Sequence, residues 1–152
     1  MNTDNKINDN LKDVIERNYD AYRGYEKAAE KVNNPQLAGT FRDQAQQRKR
    51  FALELAAETN ILGADTKEQM ESGTFEGKLH RTWMDVKTAL SFDKDEAVLE
   101  ECLRGEKDSL EEYDELIKST NLSGQPQNLI TRQRNTIKNC INDLQRLENA
   151  ID

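Results

Sequence analysis

The stretch from Leu11 to Leu55, LKDVIERNYDAYRGYEKAAEKVNNPQLAGTFRDQAQQRKRFALEL, decides the fold. In its first half Leu11, Ile15, Asn18, Tyr22, Tyr25, Ala29 and Val32 recur at alternating spacings of four and three. That is the period of one helix face, so the spacing predicts a helix from about Ile7 to Val32. Asn34-Pro35 then offers an N-cap followed by a first-turn proline, which ends one helix and opens another. So short a connection dictates an antiparallel helical hairpin. The second helix runs from about Pro35 to Ile61 on the stripe Leu37, Phe41, Gln44, Arg48, Phe51, Leu55, Glu58 and Leu62. Gln44 and Arg48 break its apolar character at mid-helix.

Outward from that hairpin, Gly63 ends the pattern, and the polar, unperiodic run from Ala64 to about Ser72 reads as a surface connection. Leu79, Trp83, Val86 and Leu90 then mark a shorter amphipathic helix near Phe75 to Leu90. Asp93, with Glu96 three residues later, resembles a capping box and opens a long helix reaching about Ser119. Its stripe is Leu99, Leu103, Glu106, Leu110, Tyr113 and Ile117, with a carboxylate in the middle. Asn121 to Gln125 forms a turn, and Pro126 lies in or just before the first turn of a final helix carrying Ile130, Gln133, Ile137, Cys140, Leu144, Leu147 and Ile151.

Two helical hairpins joined by about thirty partly helical residues describe an all-α four-helix bundle with a long crossover and a short extra helix within it. The whole chain, 1–152, reads as one such domain. At 1.5 Å per residue the long helices span roughly 39 Å and the short one roughly 24 Å, so the crossover can return along the bundle. That path leaves the helices on either side of it parallel, the ferritin-like arrangement; a simple up-down order of five helices also fits the spacing.

Composition narrows the function. Charged residues make up 34% of the chain and aromatics 6%, with seven glycines and two prolines, as suits long solvated helices. A net charge of −7 repels a phosphate backbone, and the short run Arg48-Lys49-Arg50 does not reverse that field, so no nucleic-acid partner is expected. No run approaches the roughly 18 to 20 apolar residues of a membrane span, and MNTDNKINDN lacks the basic and apolar regions of a signal peptide. A cytoplasmic protein without a membrane partner is the expectation. Cys102 and Cys140 form no CxxC pair and read as reduced thiols.

The segments GYEKAAEKV (Gly24 to Val32), RKRFALEL (Arg48 to Leu55), GKLHRTWMDVK (Gly77 to Lys87) and ECLRGEKDSLEEY (Glu101 to Tyr113) resemble a bacterial family of small ferritin-like proteins. It is catalogued as a domain of unknown function and often associated with stress responses. The resemblance extends from about Ile7 to Leu147, and HRTW and RGE are its most specific parts. It implies the ferritin-like fold and a stress-related context, and it implies no reaction.

Ferritin-like bundles that hold two metal ions take a Glu from each of two helices and Glu-x-x-His from each of the other two. That pattern fails here. The one histidine, His80, falls in the crossover helix, and mid-stripe positions elsewhere are Gln44, Arg48 and Gln133. A cationic Arg48 in the core also opposes a divalent ion. No metal or other cofactor is therefore expected; the alternative is iron or another divalent metal on Glu106, Glu112 and Glu58, as in an oxidase or iron-handling protein. A more economical reading pairs Arg48 with Glu106 in a buried polar cluster completed by Tyr22, Tyr25 and Gln44, since a lone buried charge costs several kcal/mol. His80 and Trp83 serve to pack the crossover helix on the bundle. No nucleophile or acid-base pair emerges, so a non-enzymatic protein acting through association, as a homodimer or with another protein, is the leading expectation. A small-ligand pocket beside Trp83 is a further alternative.

Overall fold

The computed structural model describes residues 2–76, 83, 91–119 and 122–151, with side chains from residue 8 onward. Five helices and no strand occur among the described residues: α1 (Asn2–Lys31), α2 (Pro35–Thr59), α3 (Ala64–Ser72), α4 (Asp95–Ser119) and α5 (Gly124–Ile151). The chain is all-α.

Local chemistry fixes most of the boundaries. Asn34 caps α2, its Oδ1 accepting from the Gln36 and Leu37 backbone N–H groups at 2.9 and 3.1 Å, with Pro35 in the first turn. The other end differs from expectation. α2 stops at Thr59 because Asn60 adopts the left-handed conformation (φ 52°) and donates its N–H to Ala56 O, so Asn60 is the C-cap in place of Gly63.

The run from Ala64 to Ser72, expected as an irregular connection, is helix α3, closed by Gly73 at φ 80°. Met70 is its only buried residue, so there was no apolar stripe for periodicity to detect. The expected Asp93 capping box also shifts. The first helical hydrogen bonds of α4 go to Lys94 O, which leaves Asp93 outside the helix. Asp95 instead reaches across, its two carboxylate oxygens each accepting at 2.9 Å from Asn33 and Asn34 N–H in the α1–α2 turn. The helix expected over Phe75 to Leu90 lies almost entirely outside the described residues, as does His80.

Named contacts give the helix directions. Along α1 and α4, Asn18 meets Tyr113, Tyr25 meets Glu106, and Asn33 meets Asp95, so the two helices run antiparallel. α2 runs antiparallel to α1, with Arg48 at Asn18 and Phe41 at Tyr25. α5 returns along α4, with Gln133 at Tyr113 and Arg134 at Asp114. Consequently α2 and α4 point the same way. α1 packs on α2 and α4, and α5 packs on the same two, so the four long helices close a ring.

The expected stripe residues Leu11, Ile15, Leu37, Phe41, Phe51, Leu55, Leu99, Leu103, Ile130, Ile137 and Leu144 all lie in the core that ring encloses. Glu58, taken as a stripe member, is exposed, and Ile151 is 39% exposed at the end of α5.

Candidate functional site

Charge is expensive inside such a core, yet Arg48 and Glu106 are 1% and 0% exposed. They meet at its centre, Arg48 Nη2 donating to Glu106 Oε2 at 3.0 Å. Each partner also bonds a neutral group. Tyr25 Oη donates to Glu106 Oε1 at 2.5 Å, and Arg48 Nη1 donates to Asn18 Oδ1 at 2.6 Å. The Asn18 amide in turn donates to Val14 O at 3.0 Å and to Tyr113 Oη at 2.8 Å. Tyr113 passes its own proton toward Gln133 Oε1 at 2.7 Å, and Gln133 Nε2 reaches Phe51 O at 3.3 Å.

This network draws on all four long helices: Asn18 and Tyr25 from α1, Arg48 from α2, Glu106 and Tyr113 from α4, Gln133 from α5. Donors and acceptors alternate consistently along it, which is the condition for burying a polar layer at tolerable cost.

The electrostatics follow from burial. Burial pushes the Tyr25 phenol well above its ordinary value, and the Glu106 carboxylate raises it further. Tyr113 is also raised by burial, against the opposing pull of Arg48. Burial alone would lower Arg48, but the carboxylate of Glu106 and the nearby phenols outweigh it, and the guanidinium is held more firmly protonated than usual. Cys140, 3.8 Å from Tyr25 Oη, and Cys102 are buried free thiols; burial first, and Glu106 second, raise both. A raised thiol is a poor nucleophile, since the thiolate is the reactive form.

Trp83 covers the cluster on the side of α1 and α4. It is 7% exposed, its ring 4.8 Å from that of Tyr25 and 5.6 Å from the Arg48 guanidinium carbon. Two glycines make room for it. A Cβ on Gly24 would lie 3.0 Å from the indole, and one on Gly105 would lie 2.9 Å away.

Of the five residues expected in the polar cluster, the structure joins Arg48, Glu106 and Tyr25. Tyr22 lies apart, its ring tilted at 54° against that of Tyr19 with centroids 5.2 Å apart, and with Lys49 Nζ 5.2 Å from its own centroid. Burial, then Glu26, raise the Tyr22 phenol to about 12. Gln44 Oε1 is buried with no hydrogen-bond partner among the described residues. Asn18, Tyr113 and Gln133 occupy the places assigned to Tyr22 and Gln44. Asn18 and Gln133 are polar residues within the apolar stripes, and that interruption was the signal that could have found them.

The three carboxylates considered for metal do not converge. Glu106 is engaged by Arg48 and Tyr25, Glu112 is paired with Arg17, and Glu58 is exposed on α2. Glu112 is raised by burial, with Arg17 opposing the rise. Among the described residues no group of three or more His, Cys, Asp or Glu side chains is disposed to hold a metal ion. Cavities of about 500 and 420 Å³ occur between α1 and α4 and between α1 and the α3 region, and Trp83 lines neither. The first is acidic, lined by Asp13, Asp108, Glu111, Glu112 and Glu115 around Arg17. No helix among the described residues is long and apolar enough to cross a membrane.

No curated protein matches the sequence. A family model described as Domain of unknown function (DUF2383) matches residues 6–119, which contain α2, α3, α4 and nearly all of α1, together with every residue of the central network except Gln133. The chain therefore belongs to the DUF2383 family.

Proposed function

We propose that this chain is a ferritin-like four-helix bundle whose centre is closed by an ion pair, and that it works without catalysis, by associating with protein in the cytoplasm. The observation that carries this reading is the engagement of Glu106 by a fixed cation and a phenol. Both of its oxygens are engaged, one by the Arg48 guanidinium and one by the Tyr25 phenol. In di-metal bundles the inward carboxylates at mid-helix are the ligands. Here a fixed cation already lies against the carboxylate, and bringing a divalent ion to the same oxygen would strand that cation in a low-dielectric core. The parallel course of α2 and α4 between two antiparallel hairpins supports the ferritin-like assignment. The stress-related context comes from the family resemblance, and a second copy of the chain is the first partner to test.

The test uses full-length protein stripped of metal. Anaerobic calorimetric titration with Fe(II), followed by oxygen uptake on admission of air, should show neither stoichiometric binding nor turnover. Fe(II) bound at a fixed ratio and released by Glu106→Gln would overturn the non-metal reading. Sedimentation velocity across a range of concentrations reads association; a dimer is expected, and a monomer throughout removes the homodimer.

A further inference from the structure

Arg48 and Trp83 both keep one N–H out of the network just described. Arg48 Nε and Trp83 Nε1 are buried with no hydrogen-bond partner among the described residues, and so is the acceptor Gln44 Oε1. Arg48 and Trp83 are themselves 1% and 7% exposed, so bulk solvent does not satisfy them. Leaving a buried polar group unpaired costs about 1 to 3 kcal/mol. Three such atoms together call for a partner.

The side chains that carry two of them are neighbours, the Arg48 guanidinium carbon lying 5.6 Å from the Trp83 ring centroid. Gln44 precedes Arg48 by four residues on α2, hence on the same helix face. The chemistry of the three atoms selects the ligand. Two N–H groups require an acceptor and a carbonyl oxygen requires a donor, so neither a bare anion nor a metal cation suits all three. Arg48 is also already neutralised by Glu106, and an added anion would place an unbalanced charge in the core.

We propose that a single buried water binds here, accepting from Arg48 Nε and Trp83 Nε1 and donating to Gln44 Oε1. It gives the third guanidinium nitrogen a partner and ties Trp83 to the central ion pair. Buried waters of this kind typically make about three hydrogen bonds to groups the protein leaves unpaired.

Trp83 is the one tryptophan in the chain, so its indole N–H gives a single, unambiguous resonance in ¹⁵N-labelled protein. A water-selective Overhauser experiment should show a cross-peak from that proton with the sign of a long-lived water. The cross-peak should vanish in Gln44→Leu, which removes the acceptor while keeping the helix. An indole proton without a water cross-peak, or a cross-peak unchanged in Gln44→Leu, overturns the site. Crystals of the wild-type chain give an independent measurement that needs no variant. A solvent peak within hydrogen-bond reach of both N–H groups supports the water. Ordered side chains with no peak, or an anomalous bromide peak after soaking, refute it.

Discussion

Replacing Gly105 by alanine should destabilise the protein, against the usual direction of a glycine-to-alanine change inside a helix. Gly105 lies within α4, where alanine is favoured over glycine by about 1 kcal/mol from propensity alone. The new Cβ would lie 2.9, 3.0 and 3.1 Å from Cε2, Cδ2 and Cε3 of Trp83. Carbon atoms prefer about 3.5 to 4.0 Å, so the indole has to retreat by roughly half an ångström or more. It is a rigid ring already held by Tyr25 and Gly24. Overpacking of a core by one methyl costs about 1 to 3 kcal/mol, so the net effect is a loss of about 0 to 2 kcal/mol.

Gly39 provides the control. It lies inside α2, and a methyl group added there would meet nothing within 4 Å, so Gly39→Ala should stabilise by about 0.5 to 1 kcal/mol. Reversible urea denaturation of both variants measures the gap. In a Trp83→Ala background the clash is gone, and Gly105→Ala should turn stabilising by about 1 kcal/mol. If Gly105→Ala stabilises the wild-type protein as much as Gly39→Ala does, the account of Trp83 wedged between two helices is wrong.

Breaking the central pair should be costlier than removing it. Arg48→Met or Glu106→Gln alone should cost about 3 to 5 kcal/mol, and a well-packed apolar double replacement should recover much of that, so additive effects in a double-mutant cycle would refute the pairing as an energetic unit. Trp83→Ala should cost about 3 to 5 kcal/mol if the indole behaves as a core side chain, and a loss below about 1 kcal/mol would show that its burial contributes little. Alkali should unfold the protein through its phenols and thiols. All four tyrosines and both cysteines are raised by burial, so the folded chain keeps protons that the unfolded chain releases at ordinary values near 9 to 10. Their contribution is complete below that range and is lost as pH rises toward the folded values. Melting temperature should fall above about pH 9, with tyrosinate absorbance of Tyr25 and Tyr113 appearing together with loss of helix by circular dichroism; tyrosinate formed in a still-helical protein would contradict their burial.

The sequence by itself determined the helices that have stripes. Wherever apolar residues recur at helical spacing among the described residues, the structure has a long helix, because burying one face is what stabilises a helix in water. Hairpin register was legible too. Asn18 and Arg48 are equidistant from Asn33, and Tyr113 and Gln133 are equidistant from Ser123, and the members of each pair meet. Glu106 and Cys140 flank Ser123 equally, and both approach Tyr25 Oη.

Helix α3 was not legible, because a helix that buries one methionine has no period to read. Contacts between the two hairpins, apart from the Arg48–Glu106 cluster signalled by two mid-stripe charges, were beyond sequence reasoning for a different reason. Which face of α1 meets α4 depends on how the crossover returns, and no local spacing encodes that. The meeting of Tyr25 with Glu106, the Asp95 carboxylate on the α1–α2 turn, and the wedging of Trp83 between Gly24 and Gly105 all arise from that docking. The charges of Arg48 and Glu106 were visible in their stripes, but the neutral residues that make their burial tolerable were chosen by tertiary packing, since only the assembled core decides which polar side chains share its centre.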